Sequence, residues 1–254
     1  MTTIGRLLQS LAETPALRDS RLAARLKAPA RRWLLKSGAM QWGTKSFEFW
    51  TLLMIVLGAV RPRSIVELGA GRSTSYLAEY AMKTGARFAS IEQSRVYARR
   101  VRRALSQGFV DPRFVHHVPI GVDGWYDAAR LARTVDFEPD MLFIDGPVGR
   151  DEEIGPAGRA GDRALDWQRR TVRTAHILIV DDVHRRSNLA VYASLLRELP
   201  DHGSTYVAYE PQHRQRNVAA IALPADRIAP VVRMCADLGI DLLPGYAPGD
   251  CTEG

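Results

Sequence analysis

The chain has 254 residues, 46% apolar and 25% charged, which suits one large α/β domain with a two-sided core plus an appendage and excludes a disordered or fibrous chain. Its two cysteines, Cys235 and Cys251, fit neither a disulfide framework nor a zinc-ligand spacing. The net charge of +7 lies wholly in residues 1–45, where nine lysines and arginines stand against Glu13 and Asp19, so the remainder is formally neutral.

Residues 1–45 read as a basic helical extension and 46–254 as the domain proper. Leu7, Leu8, Leu11, Leu22, Leu26, Trp33, Leu34 and Leu35 recur at helical spacing, broken at Pro15 and Pro29. Such an arm suits an anionic surface, either a membrane or RNA, or it is a solvated helical face. Met1 to Gln9 lacks the long apolar core of a signal peptide, so the expected location is cytoplasmic, or peripheral at the inner face of the membrane if the arm docks there. Phe47 to Val60 predicts a buried helix, too short to span a bilayer.

From Ser64 strands and helices alternate. The predicted strands are 64–68, 86–91, 114–119, 140–144 and 176–180. Helices are predicted over 74–83, 95–106 (rich in arginine), 164–174 and 188–199. Two further β-rich runs, 204–209 and 218–223, predict a terminal hairpin, followed by a helix over 228–238. Strands separated by helices imply a mostly parallel sheet, here of seven strands, with helices on both faces.

The strongest local signal is Glu67-Leu68-Gly69-Ala70-Gly71-Arg72-Ser73-Thr74. Glycines directly after a strand let the backbone turn and approach a ligand, and the helix start behind them offers N–H groups that Ser73 or Thr74 can help cap. Glu92 ends the next strand 21 residues after Gly71, close to the ~20 expected of a carboxylate that accepts from ribose hydroxyls. The motif resembles that of class I S-adenosylmethionine-dependent methyltransferases, which implies a Rossmann-like fold. It also implies cofactor contacts at Glu67, Gly69, Ala70, Gly71, Ser73, Thr74, Glu92 and Asp145. A dinucleotide-binding protein would carry a third glycine where Thr74 stands.

Two acidic clusters fall at the carboxyl ends of later strands, where ligands of open α/β sheets bind: Asp145-Gly146-Pro147 and Asp181-Asp182-Val183-His184-Arg185. Carboxylates gathered there need a cation, a proton or a hydrogen-bond network. Asp145, Asp181 and Asp182 resemble the ligand set of catechol-type metal-dependent O-methyltransferases, which implies Mg²⁺ or another divalent cation. Asp182 stands where that family has Asn, and Val148 stands where it has its catalytic lysine. Asp145-Gly146-Pro147, Gly158-Arg159, Asp182-Val183-His184-Arg185 and Trp125-Tyr126-Asp127 resemble glucuronoxylan 4-O-methyltransferases and related bacterial proteins. Read as a helix start, Asp181-Asp182 is an N-cap with no ion; Trp125-Tyr126 also reads as ordinary core.

The expected activity is transfer of a methyl group from S-adenosylmethionine to a hydroxyl of a small-molecule or glycan acceptor, with Asp145, Asp181 and His184 as candidate catalytic residues. The glycine-bearing loop 146–163, with Arg150, Arg159 and Arg163, is expected to cover the site. An RNA methyltransferase or RNA-binding protein using the arm, and an N-methyltransferase of a small amine, are the alternatives.

Overall fold

In the computed structural model the described residues are 47–147, 165–209, 217–238, 240, 242–243 and 245. The basic extension, and the predicted covering loop beyond Pro147, lie outside them. By contacts the chain divides into two compact units: Pro62–Pro200, and the residues flanking it, up to Arg61 and from Asp201.

The Pro62–Pro200 unit is built around β1 (Ser64–Leu68), whose five residues are all buried, as a parallel strand covered on both sides requires. It is followed by α1 (Arg72–Thr84), β2 (Arg87–Glu92), α2 (Arg95–Gln107), β3 (Val115–His117), α3 (Ala128–Thr134), β4 (Met141–Ile144), α4 (Asp166–Val172), β5 (Ile177–Val180) and α5 (Arg186–Leu196). The strands lie in the order β3-β2-β1-β4-β5, all parallel. The order reverses between β1 and β4, which is the switch point where doubly wound sheets bind ligands.

The expected elements are present, with shifted ends. The third strand is shorter than expected, because Pro112 starts a 3-10 turn over Pro112–Phe114 and the strand stops before Pro119. Helix α3 was not expected, although Asp127 accepts from the Arg130 N–H at 2.8 Å and so caps it. Asp181-Asp182 does not cap α5. That helix has Arg185 at its N-cap with no side-chain cap, and Asn188 reaches back instead, its Nδ2 donating to the Asp181 carbonyl at 3.0 Å. Helix α2 packs Ala98, Val101 and Leu105 into one cluster with Ala70 and Val115, which braces the glycine loop from below its arginine-rich face.

In the flanking unit, a helix over Phe47–Val60 precedes β6 (His202–Tyr209), β7 (Asn217–Pro224), a helix over Ala225–Asp237 and a short β8 (Leu242–Leu243). β6 and β7 form the expected antiparallel hairpin, from His202↔Pro224 to Tyr209↔Asn217. β8 is the strand the sequence did not foretell; it pairs antiparallel with β6 through only two residues. Both helices pack on β6. The first is buried along its length, from Phe49 to Leu57, as its largely apolar run predicts. Among the described residues no helix is long and apolar enough to cross a membrane.

Gly69 closes β1 at φ +98°, and a Cβ there would stand 2.7 Å from both the Asp145 carbonyl carbon and the Gly146 nitrogen. Those neighbours are backbone and cannot swing away. Gly69→Ala is expected to destabilise the fold by about 3 kcal/mol or more, through backbone strain plus overpacking. Denaturant unfolding measures it.

Candidate active site

The site is assembled at the carboxyl ends of β1, β2, β4 and β5, held in line by backbone bonds. The Gly69 N–H donates to the Ile91 carbonyl at 2.8 Å, that of Asp145 to Leu68 at 2.7 Å, and that of Asp181 to Ile144 at 2.8 Å. At its base lies Glu67, 0% exposed. A buried carboxylate needs donors, and neighbouring elements supply them. Thr74 Oγ1 donates to Glu67 Oε2 at 2.6 Å, and Ser90 Oγ donates to the same oxygen at 2.5 Å. Ser90 is the register partner of Glu67 across the parallel pair.

Thr74 does a second job. Its Oγ1 accepts from the Gly71 N–H at 2.7 Å, so the helix start is closed from its third residue inward. Of the two residues expected to help cap the helix, Thr74 does so, with Gly71 at the N-cap itself. Thr74 is needed at that position for its hydroxyl, where a dinucleotide motif would have glycine. Ser73 is fully buried beside it.

Gly71 differs from Gly69. Among the described residues a Cβ built on it would meet nothing within 4 Å, so they leave open space beside the loop at this point. Glu92, 6% exposed, borders the same loop. Its Oε1 accepts from the Ser94 N–H at 2.6 Å. Burial pushes its carboxyl above the usual glutamate range, while the backbone N–H groups of Ser94, Ala70 and Gln93 oppose that rise. The Ala70 contribution ties the glycine loop to the end of β2. Glu67, Gly69, Ala70, Gly71, Ser73, Thr74, Glu92 and Asp145 are thus brought to one end of one unit.

Tyr126, read from the sequence as ordinary core, belongs to this neighbourhood. It is 3% exposed. Its phenol is raised well above the usual tyrosine value by burial first, then by the charges of Glu92, Asp145 and Glu67. Ser90 is the contributor that the sequence left out, whereas Tyr126 stood in the Trp125-Tyr126-Asp127 resemblance with no role assigned to it. A lone serine in an apolar strand, opposite a buried glutamate, is the signal that would have found Ser90.

The acceptor end is less concentrated. Asp145 is half-buried after β4, whereas Asp181 is 0% exposed, its Oδ1 accepting from the Asp182 N–H at 2.8 Å. Asp182 has a left-handed backbone, φ +55°, and its carboxylate pairs with Arg185 at 3.3 Å across a turn closed by the Arg185 N–H on the Asp182 carbonyl. His184 is half-buried in the same turn. Among the described residues no group of three or more His, Cys, Asp or Glu side chains could hold a metal ion. Asp145, Asp181 and Asp182 are thus not gathered into the expected ligand set: the Asp182 carboxylate faces Arg185, and Asp181 accepts from the Asp182 N–H, so the donor set does not fit a divalent ion.

No protein-family model matches the chain, and no curated protein does. Among solved structures, a cofactor-bound protein from MTB, Rv0187, is 22% identical, with a TM-score of 0.50 over 78% of this chain and 90% of that one. The O-methyltransferase TomG of Streptomyces achromogenes, in complex with S-adenosylmethionine, is 19% identical, with a TM-score of 0.48 over 71% and 81%. An O-methyltransferase of Bacillus cereus, in complex with S-adenosylhomocysteine, is 16% identical, with a TM-score of 0.46 over 86% and 97%.

Two measurements follow from this geometry. Gly71→Val adds its side chain to open space, so the fold should keep its melting temperature while S-adenosylhomocysteine affinity falls at least tenfold by calorimetry; unchanged affinity counts against the site. Glu92 is held above its unfolded value, so the stability it contributes is full below the ordinary glutamate range and is lost as pH rises through the raised value. Denaturant melts of the ligand-free protein should therefore lose stability across that interval, and Glu92→Gln should flatten the loss. With its parallel strand order and its glycine loop after β1, the chain has a Rossmann-like α/β fold.

Proposed function

We propose that the chain is an S-adenosylmethionine-dependent methyltransferase that methylates a hydroxyl of a small-molecule or glycan acceptor. The observation that carries the reading is the open space at Gly71, bordered by the buried Glu92 and built on the Glu67–Thr74–Ser90 network. A nucleoside fits there because its ribose hydroxyls would meet a carboxylate acceptor, and no third glycine is present to cradle a pyrophosphate. The bound cofactor supplies an electrophilic methyl group on a sulfonium.

The chain's own residues then have four tasks. Glu67, Gly69 and Ala70 fix the loop, and Glu92 holds the ribose. Asp145, half-buried at the end of β4, accepts the proton of the acceptor hydroxyl, with His184 as the second candidate. Asp181, wholly buried and engaged with the Asp182 N–H, positions the turn that carries His184. The ion pair of Asp182 with Arg185 holds that turn without a metal, so no step is routed through one. The basic extension, on this reading, docks an anionic surface, a membrane or RNA, and takes no part in the chemistry.

The test is transfer of a labelled methyl group from S-adenosylmethionine to pools of glycans, phenols, amines and RNA. Hydroxyl-bearing pools should be labelled, with rates unchanged in EDTA. Asp145→Asn should lower kcat by about 10²- to 10⁴-fold, the span of a lost general base, with cofactor affinity little changed. Labelling confined to RNA or amines would overturn the acceptor class, and collapse in EDTA restored by Mg²⁺ would overturn the metal-free step.

A further inference from the structure

The Tyr126 hydroxyl is buried, and it has no hydrogen-bond partner among the described residues. Leaving a buried hydroxyl unpaired is costly, so a fold that keeps one in place points to a partner that arrives from outside. The hydroxyl is also held firmly. Trp125 packs edge-on against the Tyr126 ring, with centroids 6.3 Å apart. The backbone around it is clamped by an antiparallel bridge to Ile120, by the Gly121 N–H on the Trp125 carbonyl at 2.7 Å, and by the Asp127 N–H on the Pro119 carbonyl at 2.9 Å.

Its position is equally specific. A Cβ on Gly146 would stand 3.0 Å from Tyr126 Oη and 2.9 Å from the Gly69 Cα. The oxygen therefore lies at the junction of the loops that follow β1 and β4, where the candidate cofactor site is built. Three carboxylates influence it, Glu92 most, then Asp145, then Glu67.

These surroundings select the ligand group. A phenol that stays protonated at neutral pH is a donor, and its neighbours are acceptors. A ligand carboxylate would bring a further acceptor among three carboxyl groups. An ammonium would satisfy them yet leave the O–H of Tyr126 unspent. A hydroxyl can donate to Glu92 and accept from Tyr126 at once, and a vicinal diol offers two. We propose that Tyr126 and Glu92 together form a diol subsite, in which the phenolic O–H donates to a ribose hydroxyl oxygen whose own proton is donated to Glu92. This rests on the cofactor reading above and adds to it a residue that the glycine motif does not contain.

Calorimetry with S-adenosylhomocysteine and its 2′-deoxy and 3′-deoxy analogues, on the wild type and Tyr126→Phe, tests it. The variant removes one oxygen, and its thermal melt reports whether the fold is kept. It should bind S-adenosylhomocysteine about tenfold more weakly, the size of one lost neutral hydrogen bond, and should show no further loss against the analogue that lacks the contacted hydroxyl. Equal affinity in the two proteins overturns the subsite, as does the same loss against all three ligands. A wild-type protein that binds none of them overturns the cofactor reading itself, and the subsite with it.

Discussion

The buried carboxylate of Glu67 is the constraint from which the site is built. A charge or acid with 0% exposure at the end of a central strand is tolerable only if donors are fixed around it. Ser90 comes from the adjacent strand and Thr74 from the first turn of the following helix. Satisfying one side chain therefore sets the position of the strand beside it, the start of the helix after it and, through the Thr74–Gly71 bond, the path of the loop between them. The site's rigidity comes from this sharing of one acceptor among three elements.

The same economy shows where the loops after β1 and β4 touch. Gly69 and Gly146 approach so closely that neither has room for a side chain, and the Tyr126 hydroxyl lies against their junction. Close backbone contact brings Asp145 beside the glycine loop, which places the proposed proton acceptor next to the proposed methyl donor. Proximity of this kind, secured before any ligand binds, is what methyl transfer demands of a protein.

Much of this was legible in the sequence. Apolar runs of strand length ending in Gly or Asp marked β1, β4 and β5, and the spacing from Gly71 marked Glu92 at the end of β2, because these signals are local. What escaped depends on contacts distant in sequence. Ser90 matters only because register sets it opposite Glu67, and Tyr126 only because its loop folds back to Gly146. Arg185 stands in a recognisable motif, yet its pairing with Asp182 depends on a left-handed turn that no composition rule reveals. Three carboxylates in the right order suggested a metal; the turn pointed one at an arginine instead.

A crystal structure of the protein with S-adenosylhomocysteine tests the central claim most directly. The expected result is a nucleoside seated over Gly71, its ribose hydroxyls within hydrogen-bond distance of Glu92, with the Glu67–Thr74–Ser90 network unchanged. A ligand bound elsewhere, or none bound at saturating concentration, would contradict it.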